Sequence, residues 1–389
     1  MQAATTPVKG FREASGRVLR IDPLMLLATI GLIAASIYVI GSATQDDRPG
    51  DPNYYTHRQA AYAGVGFVLM ILMTRFDYSR LREWKLGVYA VLIGAILLVY
   101  AVGFSARGSQ RAIQLPFFNF QPSELGKVLL VVALSAFMVD RIRRLTDRET
   151  TSRMVLLAVI PAMLVIAQPD LGSGLVYLAI LVAVMFIAGT PWTHFAALGA
   201  LAAVAIVVVL VAAPAVGVEV LQPYQKDRLT AFLNPGENQG REAYQINQSL
   251  TAIGSGGKTG RGDEATQTKL DFLPEHHTDF VFSVIGEEFG FVGAALVLSL
   301  FALLIWRALR TLTMAKNFYG ALVAGGITAM LMFQVFVNVG MTIGIMPITG
   351  IPLPLVSYGG SSVITTLMAI GLLQSIHAQA RETAAVKRL

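Results

Sequence analysis

The 389-residue chain contains no cysteine, which excludes a disulfide framework, a thiolate metal site and a cysteine nucleophile together. Charge is scarce as well. Only 14% of residues are Asp, Glu, Lys or Arg, against roughly 25% in a water-soluble domain, too few to coat a globular surface. No strand-period alternation runs through the apolar stretches, so an outer-membrane barrel is excluded. What is present is apolar: 54% of residues are hydrophobic, and the charges that exist are clustered. They leave uncharged runs from Leu24 to Ala43, Leu86 to Ala106, Leu171 to Val218 and Asn317 to Ala380, each long enough to cross a bilayer at least once.

At about 20 residues per span, ten helices are expected over 24–43, 59–75, 86–104, 122–139, 154–169, 171–189, 194–216, 280–306, 317–345 and 358–380. The expected fold is an all-α polytopic membrane protein with about ten transmembrane helices over residues 24–380. One long extracytoplasmic loop, 217–277, separates helices 7 and 8. A cytoplasmic N-terminal segment, 1–23, and a cytoplasmic tail, 381–389, flank the spans. If the N-terminus is cytoplasmic, the inner segments carry most of the basic residues, among them Arg75, Arg80, Arg82, Lys85, Arg141, Arg143, Arg144, Arg307 and Arg310, as the positive-inside rule requires. Both termini then lie in the cytoplasm of a multi-pass membrane protein, and the first helix acts as an uncleaved anchor. Basic inner loops account for the formal charge of +6 without any nucleic acid. A structureless loop as long as 217–277 is usually functional.

Ionisable groups within spans are costly and tend to mark function. Glu124 and Lys127 lie three apart in Gln121-Pro122-Ser123-Glu124-Leu125-Gly126-Lys127 and share one helix face. They form either an ion pair locking two helices or a site where the Lys127 ammonium meets an anionic substrate. Asp170, after Gln168-Pro169 and before Leu171-Gly172, is either a helix N-cap or a substrate or metal ligand. The run Phe272-Leu273-Pro274-Glu275-His276-His277-Thr278-Asp279-Phe280 leads titratable groups into an apolar helix. The positive helix end favours a carboxylate and apolar surroundings oppose it, a balance suited to a general base. Asp279 is that candidate, with a helix cap as the alternative. His276 and His277 are adjacent and cannot share a helix face, so His-His-x-Asp is a weak metal signal, and no resident metal is assigned. Glu287 and Glu288 read as structural pairing. Gly256-Gly257-Lys258-Thr259 lacks the spacing and the preceding strand of a P-loop, so no nucleotide is expected. The breaks from Thr349 to Ser362, including Ser357 as a substrate-binding candidate, read as a cavity wall, because irregular backbone at membrane depth survives only inside protein or against water. The alternative is an ordinary outer loop.

These elements, in order along the chain from about residue 20 to 380, resemble the SEDS family. Thr266-Gln267-Thr268 and Asp271-Phe272 are more similar to its RodA branch than to its FtsW-type division branch. The resemblance implies a peptidoglycan glycosyltransferase that polymerises lipid II outside the bacterial cytoplasmic membrane, in cell elongation and shape maintenance. A class B penicillin-binding protein, membrane lipid and the growing glycan strand are the implied partners. Asp279 matches the family's essential carboxylate, and Glu124, Lys127 and Asp170 match polar positions around its cavity. Arg107 and Arg111 join Lys127 as candidates to neutralise a leaving pyrophosphate, with a divalent cation, Mg or Mn, as a further expectation. One departure stands out: Ala112 follows Arg111 where the family commonly has tryptophan. A lipid II flippase or transporter, a scaffold that recruits a synthase, and the FtsW-type paralogue are the alternatives.

Overall fold

The computed structural model describes residues 20–386 apart from 46, 48, 49, 107, 108, 115–117, 216, 218–221, 234–239 and 271. The N-terminal segment up to residue 19, Arg107, Asp271 and the last three residues thus lie outside the described residues. Nine helices among those described are long and apolar enough to cross a membrane. They are α1 (Pro23–Ala43), α4 (Lys85–Val102), α5 (Pro122–Asp140), α6 (Arg148–Ile166), α7 (Leu171–Ala188), α8 (Trp192–Ala215), α12 (Val281–Met314), α13 (Phe318–Thr342) and α14 (Gly360–Val386). A further helix, α2 (Tyr54–Arg75), has the length but opens on the polar turn Tyr54-Tyr55-Thr56-His57-Arg58-Gln59, which lowers its hydropathy. Short α3 (Ser79–Glu83) follows it.

Two features depart from the expected plan. Between α4 and α5 the chain forms a small antiparallel sheet, β1 (Phe104–Ala106), β2 (Ser109–Gln114) and β3 (Asn119–Phe120), too short to give a periodic signal. The segment 217–277 is not structureless: it holds α9 (Pro223–Leu233), α10 (Arg241–Gly256) and α11 (Thr266–Lys269). Helix α10 packs on α12, where Ser249 Oγ meets Ser283 Oγ at 2.6 Å and donates to the Thr342 carbonyl. At the same junction α12 breaks at Gly290, whose φ of +63° suits a residue without Cβ. The amides of Phe291 and Val292, freed by the break, donate to the carbonyls of Gly257 and Lys258.

Helices α2 and α14 run side by side in the same direction, with Tyr62 against Gly360 and Met70 against Gly371. A Cβ at Gly371 would lie 2.5 Å from the Met70 carbonyl oxygen, so the backbones approach as closely as small residues allow, the usual source of helix cohesion in lipid. Helix α8 buries none of its residues. Its all-round apolar surface is compatible with a lipid setting.

Basic groups gather at one end of the bundle, where Asp22 anchors three helices. Its carboxylate caps α1 through the amides of Leu24 and Met25 and accepts from Arg307 Nε of α12 at 2.7 Å. Its backbone trades two hydrogen bonds with the Gln374 side chain of α14.

The opposite end is organised by the irregular segment 349–359. Its carbonyls accept from side chains of separate elements: Arg228 (α9) to Thr349, Asn338 (α13) to Ile351, Ser36 (α1) to Val356 and Gln59 (α2) to Ser357. Burial is affordable because these carbonyls have donors.

Two outcomes follow. Asp22→Asn leaves the Arg307 guanidinium buried without its counter-charge and lowers stability by about 3–5 kcal/mol, read as a fall in the thermal unfolding midpoint in detergent, with most of the loss recovered by adding Arg307→Met. Asn338→Leu keeps the volume but leaves two carbonyls, those of Asp279 and Ile351, without this donor; at about 1–3 kcal/mol each, the midpoint falls again.

Candidate active site

Residues 274–280 form consecutive turns rather than a helix, with Glu275 at a left-handed φ of +58°. This stretch is bound to the 349–359 segment through its backbone. Ser357 Oγ donates to the Thr278 carbonyl at 2.6 Å and accepts from the Leu353 amide at 2.8 Å, while the Tyr358 amide donates to the His277 carbonyl. Asn338 Nδ2 bridges the carbonyls of Asp279 and Ile351 at 2.9 and 2.8 Å. Ser357, proposed from the sequence as a substrate contact, is 1% exposed, and its hydroxyl holds backbone instead of facing an opening. Asp279 lies one residue before Phe280 and the start of α12, half-buried, with its main chain held from two sides.

The cation beside Asp279 comes from a residue the sequence reading passed over. A Cβ placed on Gly350, itself at φ +72°, would lie 3.6 Å from Asp279 Oδ2 and 3.8 Å from Arg228 Nη2. Carboxylate and guanidinium therefore flank one point, where the left-handed φ favours glycine. Arg228 is half-buried; its Nη1 donates to the Thr349 carbonyl at 3.2 Å, and its buried Nε has no hydrogen-bond partner among the described residues. The signal that could have found it is slight: a single arginine in an apolar-flanked stretch, Pro223–Leu233, of a loop read as structureless.

The polar residues of α5 and α7 form a second cluster. Lys127 Nζ contacts Glu124 Oε1 at 2.6 Å with both side chains buried. The pair lies within one helix, so it does not tie two helices together. Asp170 caps α7 through the Ser173 amide, and its other oxygen accepts from Ser123 Oγ and Gln121 Nε2 at 2.9 and 3.0 Å. Tyr177 donates to the Ser123 carbonyl. The structure shows the cap reading of Asp170, and the second oxygen is engaged by α5. The cluster abuts the segment that holds Asp279, because a Cβ on Gly172 would reach to 2.8 Å from the Thr349 carbonyl oxygen. Arg111, followed by Ala112, lies on β2, next to the strand leading into α5.

Glu287 is held by backbone in place of the basic partner that pairing would supply: its carboxylate accepts from the amides of Gln267 and Thr268 and from Thr268 Oγ1, pinning α11 to α12. His276 and His277 face Asp47, from the connection between α1 and α2, at 3.3 and 3.7 Å. Partial burial raises the Asp47 carboxyl, but the hydrogen bond and charge of His276, with the charge of His277, prevail and hold it below the ordinary carboxylate value.

The chain has extensive relatives. A family profile described as a cell cycle protein, of FtsW, RodA and SpoVE, matches residues 18–382. Stage V sporulation protein E of Bacillus subtilis (strain 168) is 35% identical over 95% of this chain and 99% of its own length. Peptidoglycan glycosyltransferase MrdB of Escherichia coli (strain K12) is 36% identical over 92% of this chain and 94% of its own. Among solved structures, a chain of a peptidoglycan synthase complex superposes with a TM-score of 0.77 at 32% identity, covering 93% of this chain and 99% of that one. The rod shape determining protein RodA of Thermus thermophilus superposes with a TM-score of 0.65 at 30% identity, covering 92% and 97%. With a match over nearly its whole length, the chain belongs to the SEDS family of FtsW, RodA and SpoVE proteins.

Proposed function

We propose that the protein is a peptidoglycan glycosyltransferase that polymerises lipid II, with Asp279 as general base and Arg228 as the cation that receives the leaving pyrophosphate. The observation that carries the reading is the pair itself: a half-buried carboxylate and a guanidinium whose buried Nε has no hydrogen-bond partner among the described residues, flanking Gly350 at the end of the bundle away from the basic loops. By the positive-inside rule that basic end is cytoplasmic. Both termini then face the cytoplasm of a bacterial inner membrane, and the pair lies on the outer side, where lipid II is consumed. A class B penicillin-binding protein is the proposed partner, supported by the likeness to a chain of a peptidoglycan synthase complex. Thr266-Gln267-Thr268 with Phe272 supports a role in elongation.

The chemistry is a single inverting displacement. The Asp279 carboxylate takes the proton of the acceptor's 4-hydroxyl. As that proton leaves, the hydroxyl oxygen bonds to the anomeric carbon of the donor from the face opposite its pyrophosphate. The anomeric C–O bond breaks, and the lipid pyrophosphate departs with the electron pair. Arg228 presents a planar fork of donors to phosphate oxygens, and a charge that develops only during transfer is where such a donor lowers the barrier. Lys127 is occupied by Glu124, and Asp170 by Gln121, Ser123 and Ser173. These residues are proposed to set the entry of α5 and α7 beside the segment 349–351. Ser357 positions Thr278 and Asp279 through the backbone. Arg111 remains a candidate for contact with donor phosphate from β2.

Mg or Mn usually keeps several waters and is held by one or two carboxylates together with substrate phosphates. Asp279 would supply the carboxylate and the donor pyrophosphate the phosphate oxygens, and the ion would add to the neutralisation of the leaving group. No step is assigned to a cation at this position.

Asp279→Asn is expected to slow glycan formation by on the order of 10² to 10⁴, measured with labelled lipid II on the outer face of proteoliposomes containing the purified protein and its partner. Polymerisation at the parent rate would overturn the assignment, and redistribution of lipid II without glycan would make the protein a transporter. Arg228→Gln is expected to depress kcat more than it raises KM, because an interaction made chiefly in the transition state is removed. A rise in KM with kcat unchanged would reduce Arg228 to a ground-state contact.

A further inference from the structure

The histidines beside the proposed base face a carboxylate from a distant part of the chain, and that arrangement has a chemistry of its own. Adjacent histidines on a helix would diverge, but residues 274–280 are turns and Glu275 is left-handed, so both rings swing toward Asp47. Asp47 Oδ2 lies 3.3 Å from His276 Nε2 and 3.7 Å from His277 Nδ1, and one ligand atom from each of the three residues falls within 4.8 Å of the other two.

We infer that Asp47, His276 and His277 form a binding site for a single transition-metal cation of the zinc class. Its role is to fasten the connection between α1 and α2 to the turn that carries Asp279. Three observations support this. First, His276 Nδ1 lies 3.1 Å from the Leu273 carbonyl. A carbonyl can only accept, so Nδ1 carries a proton, and when the other proton is displaced by a cation the Nε2 lone pair is the one that faces Asp47. A hydrogen bond from the second ring nitrogen to a backbone carbonyl is the usual device that orients a metal-ligating histidine. Second, two ligands at about 2.0–2.1 Å from a tetrahedral ion lie roughly 3.3–3.4 Å apart, which matches the 3.3 Å between Asp47 and His276 and falls short of the 3.7 Å to His277, whereas a tight charge-assisted bond closes to about 2.7–2.9 Å. Third, the His277 ring is fixed by Tyr55, with centroids 4.9 Å apart, and by Tyr358 at 5.7 Å, so its ligand atom is held in place before any ion arrives.

The donor set selects the ion. Two imidazole nitrogens and one carboxylate oxygen suit zinc, cobalt or nickel, whereas magnesium and calcium want oxygen alone. Three protein ligands leave a fourth position for water. No other group of three such side chains converges among the described residues. The inference does not rest on the glycosyl transfer reading.

The test uses full-length protein without a histidine tag, stripped with chelator in detergent and then given zinc or cobalt chloride. One zinc per chain should be retained through gel filtration, and cobalt should develop the intense visible absorption of a tetrahedral site. Asp47→Asn and His276→Gln should each weaken zinc binding by at least about 10- to 100-fold, the loss that even an outer partner of a metal site produces. Each variant is first shown to keep the parent's circular dichroism and unfolding midpoint in chelator. Zinc should then raise the midpoint of the parent alone. X-ray absorption on zinc-loaded parent protein needs no variant and should show two imidazole ligands. Zinc content equal in parent and folded variants, or an absorption spectrum without two imidazoles, would overturn the site. Loss of metal with glycan synthesis intact leaves the site standing, and loss of synthesis at Asp279 with metal retained bears only on the proposed reaction.

Discussion

A carbonyl group at membrane depth must have a donor, and the segment 349–359 has several carbonyls that no helix or strand can serve. Each is met by a side chain from elsewhere: Arg228, Asn338, Ser36 and Gln59. The need to satisfy this one stretch of backbone gathers α1, α2, α9 and α13 around it. Ser357 and Tyr358 use their remaining capacity to hold Thr278 and His277. Asp279 is therefore aimed by main-chain bonds. The left-handed glycine at 350 completes the device, since its φ of +72° between Asp279 and Arg228 is one that a residue with a side chain rarely adopts.

The same economy governs the charges buried in the spans. Glu124 and Lys127 satisfy each other within α5, and Asp170 is saturated by a cap and two donors from α5. At the basic end Asp22 and Arg307 join α1 to α12. Arg228 differs from all of these, because its Nε is buried without a hydrogen-bond partner among the described residues while its neighbour Nη1 is engaged. A donor left in that condition by a fold that pairs Glu124 with Lys127 and Asp22 with Arg307 is what an anionic substrate would use.

Much of this was legible in the sequence because membrane spans and basic loops depend on local composition. Most span ends follow the apolar runs to within a few residues, but α2 begins five residues before its apolar run, on a polar turn, α6 begins six early, and α12 and α14 run eight and six residues past theirs. Asp279 stood out because a carboxylate precedes an apolar helix. What was not legible depends on contacts across the chain. The helices within 217–277 are amphipathic and short, so their apolar face means little until α12 is there to cover it. Arg228 gains meaning only from Gly350, and Asp47 only from a turn whose left-handed residue, Glu275, no propensity would assign. The small sheet around Arg111 lacks the length for alternation to register. Ser357 was read as facing a cavity because hydroxyls among glycines and prolines suggest a wet wall, yet its oxygen is consumed by Thr278 and Leu353.

The central claim is that the segment 349–359 aims Asp279 through the backbone. Hydrogen–deuterium exchange across this segment, read together with glycan synthesis in a Ser357→Ala variant, tests it most directly. The account predicts that the amides of Leu353 and Tyr358 exchange slowly in the parent, that both speed up in the variant, and that the synthesis rate falls with them. Faster exchange with synthesis unchanged would contradict it.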